Sequence, residues 1–508
     1  MMDSFIVKEK SYKTQINNLQ EQIRQLQSML FGIKSEKVPL VDEEQLTLFD
    51  IPEKEFSIAN EEEETEVSPH KRRKQGRKPL PEALPRTDVI HDLDDDEKIC
   101  GCGCIKECIG EDTSEQLDIE PAKVKVIRNI RLKYACKSCE GVDDDGPTIS
   151  IGRMPDQLIP KCMGTPGLLA YVMTAKFVDS IPFYRMEKKF MRMGVKIPRA
   201  TMCGWATKIT DGCEILLDLL KDEVRSGPLI NADETPLKVL SELKKSVNSK
   251  CYMWVYHGGA TGKPSVLYQY DPSRSGDVAA AFLKDYEGYV QTDGYSGYNF
   301  LDHTKGITHV GCWAHSRRKF VDVTRAAGSS GIKKKGKAHE ALKYIRKLYK
   351  IEKKAKEKVL TADELVQERL EKALPVLNEF KEWLDNTLEI TPPKGLLGKA
   401  VSYTLNQWHR LINYVHNGHV TPDNNIAENA IRPFVVGRKN WLFSGTNYGA
   451  KATAAMYSLI ETAKANDIEP YWYLKYLFEN LPLAMTTEDF KALLPMHVDK
   501  SKLNIPDI

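Results

Sequence analysis

The chain has 508 residues, 41% of them hydrophobic, a formal net charge of +2 and eleven cysteines. At about 100 to 200 residues per unit this length supports roughly three or four structural units. No apolar run approaches the about 20 residues of a membrane span, and MMDSFIVKEKSYKTQ lacks a signal peptide's apolar block, so the expectation is a multidomain soluble protein, cytoplasmic and without a membrane partner.

The small net charge conceals segregation: an acidic stretch, Glu36 to Glu66, runs directly into the basic block HKRRKQGRKP. Ahead of it, Ile16, Leu19, Ile23, Leu26 and Leu30 alternate three and four residues apart, the pattern of a coiled-coil helix. Such a short repeat either joins two copies of the chain or packs on its own chain. The basic segment carries Arg72, Arg73, Arg77 and Lys78 around a glycine and a proline. It suits a flexible arm that enters the narrow minor groove of DNA, and equally a solvated charge run.

ICGCGCIKEC then supplies Cys100, Cys102, Cys104 and Cys108, and Cys136 and Cys139 follow as a C-x-x-C pair after the alternating stretch KVKVIRNIRLKYAC. Two close pairs joined by a hairpin are what a tetrahedral structural Zn2+ site needs, each pair giving two thiolates. Cys100, Cys102, Cys136 and Cys139 are the chosen ligands, with Cys104 as substitute for one of the first pair. Arg128, Arg131 and Lys133 on the intervening strands suit phosphate contacts.

From Met154 to Val224 the period is helical, broken by Pro and Gly. Ile197 to Trp205 reads as a turn leading into a second helix, where a helix-turn-helix places base contacts; Arg185 and Arg199 are the candidate DNA contacts, and plain helical packing is the alternative. GPLINADETPLKV follows as a buried strand ending in a carboxylate, Asp233, which can hold a metal ion or merely cap a turn. After it come two apolar strand candidates, CYMWVY and SVLYQY, a helix, and YVQTDGYSGYN with Asp293 at the end of a last strand. Strand, strand, strand, helix, strand is the layout of a ribonuclease-H-like core, in which the first and fourth strands lie side by side and Asp233 faces Asp293. Asp293-Gly294 also suits a hairpin turn. DNNIAENAIRP offers Glu428 in a short helix with Arg432 one turn on, either a third carboxylate or half of a surface ion pair. In GCWAHSRRKF, Cys312 and His315 suggest another metal site, but the reading preferred is a buried thiol and a helical histidine, with Arg317, Arg318 and Lys319 toward DNA backbone.

Taken in order, these motifs resemble the transposases of the insertion-sequence sixty-six (IS66) type, specifically their large catalytic subunit. The resemblance spans most of the chain: the leucine-zipper start with LFGIKSEK, RRKQGRKPLP, the cysteine module with IGEDTSEQLD, then NADET, QTDGYSGY, GCWAHSRRKF, and DNNIAENAIRP with GRKNWLFSG. Two departures stand out, a C-x-C-x-C cluster where many relatives have C-x-x-C, which blurs the zinc ligand set, and Gly395 where Ser is common. The resemblance implies a DDE recombinase whose triad is Asp233, Asp293 and Glu428. It implies two Mg2+ (or Mn2+) ions, with Asp233 as the shared ligand, hydrolysis at a transposon end, and attack of the freed 3′ hydroxyl on target DNA. Arg432, Arg438 and Lys439 are the candidate phosphate contacts beside that site. Implied partners are double-stranded DNA, a second copy through the N-terminal coiled coil, and accessory proteins of the same element, in a bacterial, nucleoid-associated setting. The alternative is a transposase-derived DNA-binding protein without strand transfer.

The expected fold class is therefore multidomain α/β, with a ribonuclease-H-like DDE core interrupted by an all-helical insertion. Expected boundaries are a coiled coil at 1–34, a linker at 35–85, a small β zinc module at 86–153 and a helical, helix-turn-helix-like domain at 154–226. The core follows in two parts, 227–336 and 416–485, around the insertion at 337–415, and a tail occupies 486–508.

Overall fold

The computed structural model describes residues 124–135, 149–243, 250–326 and 336–503. The expected coiled coil, the linker with Arg72, Arg73, Arg77 and Lys78, and Cys100, Cys102, Cys136 and Cys139 lie outside them. Residues 124–135 and 149–152 fall in one compact unit and residues 153–503 in another. In the first, β1 (Lys133–Ala135) pairs antiparallel with β2 (Ile149–Ile151), Tyr134 opposite Ser150. The strand expected from Lys123 onward is thus confined to its last residues, because only these find a ladder partner among the described residues.

The larger unit is mixed α/β with a helical majority and one five-stranded sheet. It opens with α1 (Pro166–Phe177), α2 (Phe183–Arg192), α3 (Arg199–Gly212) and α4 (Glu214–Arg225). Thr165 caps α1 through its hydroxyl and Pro166 occupies the first turn, where a missing N–H costs nothing. Leu169, Met173 and Phe177 of α1, Trp205 of α3 and Leu220 of α4 lie in the same apolar core as the sheet residues Ile230, Val255 and Val266. These helices share the core of the sheet instead of building a separate one.

The sheet contains β3 (Leu229–Leu237), β4 (Cys251–Gly258), β5 (Ser265–Asp271), β6 (Gly288–Gln291) and β7 (Ile307–Val310), in the order β5-β4-β3-β6-β7. β3, β4 and β5 are antiparallel neighbours; β6 and β7 run parallel to β3. A short helix, α5 (Leu240–Leu243), follows β3, and α6 (Gly276–Phe282) makes the crossover from β5 to β6. β3 does not end at Asp233 as the sequence suggests. Pairing with β4 carries it through Pro236 to Leu237. Its pairing with β6 stops at Asn231, so Pro236 sits where that flank of β3 has no ladder and its missing N–H is tolerated.

Both sheet edges are covered. On β5, Ser458 and Thr462 of α14 (Asn447–Ala465) accept from the amides of Tyr268 (2.7 Å) and Val266 (3.0 Å), and Asn466 donates to the Pro264 carbonyl at 2.8 Å. The spacing of four places all three side chains on one helix face, and the alanines around them let the helix approach the strand closely. On β7, Asn413 donates to the His309 carbonyl at 2.8 Å.

After β7, α7 (Trp313–Ala326) leads into the inserted helices: α8 (Lys337–Glu357), α9 (Ala362–Glu368), a π-helical turn at Arg369–Ala373, α10 (Leu374–Glu389), α11 (Leu396–Asn406) and α12 (Trp408–Leu411). They bury a second core, in which Trp313 and Phe320 of α7 meet Ile345, Leu348, Phe380 and Leu384. The chain then returns to the sheet as α13 (Asn425–Trp441), followed by α14 and α15 (Pro470–Asn480). α13 has 17 residues, longer than the short helix expected around Glu428. No helix among the described residues is long and apolar enough to cross a membrane.

Candidate active site

Asn231 pairs with Gln291 at the last rung of the parallel β3–β6 ladder. Asp233, still within β3, and Asp293, in the segment that leaves the end of β6, each lie two residues past that rung. A period of two directs the Asp233 side chain to the face that carries Asn231, and Asp293, just beyond β6, is near enough for its charge to act on Asp233. The face is fixed by a buried amide cluster: Asn231 Nδ2 donates to Gln291 Oε1 and to Asn424 Oδ1, both at 2.9 Å. Asn424 Nδ2 returns a bond to the Ala232 carbonyl at 2.9 Å, and Gln291 Nε2 reaches the Thr421 carbonyl at 2.8 Å. Asn424 immediately precedes α13, so this cluster registers the start of that helix against the ends of both strands. Glu428 lies in the first turn of α13, where the helix dipole favours a carboxylate.

Asp233 lies within the field of both other acids. Burial pushes the Asp233 pKa up to about 8, and the charges of Glu234, Asp293 and Glu428 add to the rise, against one backbone N–H from Glu234 at 2.8 Å. Asp293 accepts from the Tyr295 amide at 2.8 Å. Glu428 Oε1 and His315 Nδ1 are both buried without a hydrogen-bond partner, 3.8 Å apart, and Arg318 Nη2 stands 3.9 Å from the other Glu428 oxygen. Glu428 therefore meets α7, and not Arg432 on its own helix as the sequence spacing allows.

The pleat separates Asp233 from Glu234. Glu234 points to the opposite face, where Arg274 donates to Oε1 from Nε (2.9 Å) and Nη2 (2.6 Å), and the Tyr298 hydroxyl donates to Oε2 at 2.7 Å. Its lone pairs are committed on that face. Arg274 stacks over the Tyr295 ring at 3.7 Å, tying this clamp to the loop that carries Asp293.

A second network braces that loop from the insertion. Arg410 holds the Asp302 carboxylate through Nε (2.9 Å) and Nη2 and bonds Asn299 at 2.9 Å. Asp302 Oδ1 lies 2.7 Å from His309 Nδ1, and His309 Nε2 lies 2.9 Å from the hydroxyl of Thr292, beside Asp293. Burial lowers the His309 pKa to about 4, which leaves the imidazole neutral and Arg410 as the counterion of Asp302. Burial alone raises a carboxyl pKa, but Arg410 and His309 hold Asp302 well below the ordinary range. A depressed carboxyl stabilises the fold above its unfolded value and loses that contribution as pH falls below it. Asp302→Asn is expected to lower the apparent melting temperature at pH 7 by several degrees. The gap to wild type should close as pH falls below 3.8, the ordinary value; an equal gap at every pH, by calorimetry, contradicts this.

The remaining basic candidates divide. Arg432 and Lys439 are exposed on α13, and Arg185 and Arg199 are exposed on α2 and at the start of α3, which form a helix, a turn and a second helix. Lys319 lies over the Tyr403 ring at 5.4 Å, and Arg317 is half-buried near Tyr349. Arg438 reaches back to the sheet, where Nη1 donates to Thr235 Oγ1 at 3.1 Å and to the Pro236 carbonyl at the end of β3. Sequence reasoning did not single out Asn231, Gln291, Arg274 or Tyr298, and it read Asn424 only as a possible start of the Glu428 helix. For Asn231 and Gln291 the available signal was a polar residue two positions before each Asp inside an otherwise apolar strand.

The model for the transposase IS66 family matches residues 161–452, and the IS66 C-terminal element matches 458–496. Residues 97–140 match the zinc-finger binding domain of transposase IS66, and 18–89 match the transposase C of IS166 homeodomain. Among similar proteins of Sinorhizobium fredii (strain NBRC 101917 / NGR234), the uncharacterized protein y4qI is 29% identical over 500 residues, 96% of this chain and 90% of its own. The uncharacterized protein y4jD is 32% identical over 432 residues, 82% of this chain and 81% of its own. With its central 161–452 segment, its zinc-finger segment and its C-terminal element all matched in order, the chain belongs to the IS66 family of transposases.

Proposed function

We propose that this chain is the catalytic DDE subunit of an insertion sequence, which cuts DNA at the element's terminal inverted repeats and joins the freed 3′ end to target DNA. The observation that carries the reading is the meeting of three carboxylates: Asp233 on β3, Asp293 just past the end of its parallel neighbour β6, and Glu428 in the first turn of α13, the latter two close enough for their charges to act on Asp233. The strand order β5-β4-β3-β6-β7, with β3 to β5 antiparallel and the rest parallel, supports a ribonuclease-H-like core.

The donor set fits divalent cations. Burial, with the charges of the neighbouring acids added, raises the pKa of Asp233, and a buried oxygen of Glu428 has no hydrogen-bond partner. Hard oxygen donors of this kind suit Mg2+ or Mn2+. When bound, a pair of such ions supplies charge stabilisation to both the attacking and the leaving oxygen of a phosphoryl transfer. Asp233 is assigned as the carboxylate shared between the ions, Asp293 and Glu428 as the other two. Arg318, Lys319, Arg432 and Lys439 are assigned to DNA phosphates around the acids, Arg317 to the same backbone further along α7, and Arg185 and Arg199 to the terminal repeat. Arg438, whose Nη1 bonds the end of β3, is assigned to phosphate contact through its remaining guanidinium N–H groups. In the zinc-finger segment Cys100, Cys102, Cys136 and Cys139 are assigned as thiolates to a structural Zn2+, and the basic arm with Arg72, Arg73, Arg77 and Lys78 to DNA. Self-association through the N-terminal repeat and accessory products of the element complete the proposal, with the helices of 154–226 joined to the catalytic core whose apolar core they share and the other boundaries as derived from the sequence.

Full-length protein, supplied with Mg2+, the neighbouring small gene products and DNA bearing the terminal repeats, is expected to release 3′ hydroxyl ends and form joined products. DNA binding with neither product, under these conditions, would leave the DNA-binding alternative standing.

A further inference from the structure

We propose that His315 is a nitrogen ligand of the cation held by Glu428, making this centre one of mixed nitrogen and oxygen donors with a preference for Mn2+ over Mg2+. The inference rests on the assignment of Glu428 to a metal centre and adds a residue to it. His315 Nδ1 and Glu428 Oε1 are both buried, both without a hydrogen-bond partner, and 3.8 Å apart. That is too long for a hydrogen bond, so neither atom satisfies the other. Two donors that each sit about 2.1 Å from one ion are at most about 4.2 Å apart, so the separation fits a shared cation. Two buried, orphaned, lone-pair-bearing atoms facing each other are costly in a finished core and ordinary in a ligand set.

Cys312 lies within the same group, with one potential ligand atom of each of the three residues within 4.8 Å of the others. Its sulfur is already employed. It accepts from the Asn424 amide at 3.2 Å, at the start of α13, and from the backbone N–H of His315, as a cap for α7. The thiol joins the two helix starts, while the His315 ring and Glu428 are left facing each other. Imidazole is a softer donor than carboxylate, and affinity at such sites rises along the first-row divalent series, whereas Mg2+ favours all-oxygen sites. A His ligand therefore biases the centre toward Mn2+.

The test is Mn2+ added to the full-length protein, followed by electron paramagnetic resonance, which counts bound ions, and by electron spin echo envelope modulation, which detects nitrogen coordinated to Mn2+. Wild type is expected to show nitrogen modulation. His315→Gln should still bind Mn2+, at least about tenfold more weakly, with the modulation lost and the Mn2+ over Mg2+ preference reduced. Glu428→Gln should lose the same ion. Binding that depends on Glu428 and Asp233 but shows no nitrogen modulation, or modulation that survives in His315→Gln, overturns the ligand assignment and leaves the carboxylate centre intact. Absence of any Glu428-dependent Mn2+ binding overturns both.

Discussion

Asp233→Asn is expected to lower DNA cleavage and joining by about 10³-fold or more, while affinity for terminal-repeat DNA stays within about threefold. A carboxylate shared by the reacting centre contributes several kcal/mol of charge stabilisation, and each 1.36 kcal/mol is about tenfold in rate. The amide is nearly isosteric, so the amide cluster of Asn231, Gln291 and Asn424 beneath it remains in place. The same substitution is expected to raise the apparent melting temperature of the metal-free protein at pH 8. An Asp whose folded pKa is pushed up to about 8 is more costly to ionise in the fold than in the unfolded chain. Stability is thereby lost as pH rises from the ordinary value toward 8, and Asn removes that loss. Gel assays of cleavage, run beside melting curves, check both parts. A variant that cuts DNA at even a tenth of the wild-type rate sinks the assignment of Asp233.

Arg369→Ala is expected to destabilise the inserted helical region by about 3 to 5 kcal/mol. Arg369 is fully buried and holds Glu352 through Nε (2.9 Å) and Nη2 (2.7 Å). It also donates to the carbonyls of Tyr414, Asn417 and Val420, each at 2.8 Å. Truncation leaves a carboxylate and three carbonyls without their donor, which is worse than losing one contact. The held carbonyls belong to the segment that runs into Thr421, the partner of Gln291, and into Asn424 at the start of α13. Cleavage activity should therefore fall with stability, although Arg369 is far along the chain from every acid of the site. Glu352→Gln should cost less, because the three carbonyl bonds survive. Hydrogen exchange across 337–420 and urea unfolding measure the effect; wild-type protection in Arg369→Ala contradicts it.

Local pattern made much of this architecture legible. The helical period from Lys337 onward and the alternating apolar strands follow from side-chain direction, which depends on residues only a few positions apart. Adjacency in a parallel pair also follows from element order, so the approach of Asp233 to Asp293 was open to sequence reasoning. The extent of β3 was not. Asp233 with Pro236 close behind resembles a strand end, and only pairing with β4 shows the strand continuing to Leu237.

The sequence by itself determined family membership, the order of the first four strands of the sheet and their crossover helix, though not the fifth strand β7, and a short roster of acids and bases, because motifs and periodicity are properties of neighbouring residues. The tertiary structure decided what those residues face. Glu234 and Asp233 are indistinguishable as adjacent carboxylates until the pleat directs one to Arg274 and Tyr298 and the other to Asp293 and Glu428. Nothing in the local pattern shows the bond of Arg438 to the end of β3. His315 reads as an ordinary helical residue until α7 and α13, joined through the Cys312 sulfur, bring its ring to Glu428. Each of these outcomes depends on contacts between segments distant along the chain, and the direction of a side chain toward such a partner is set by packing, which no local pattern encodes.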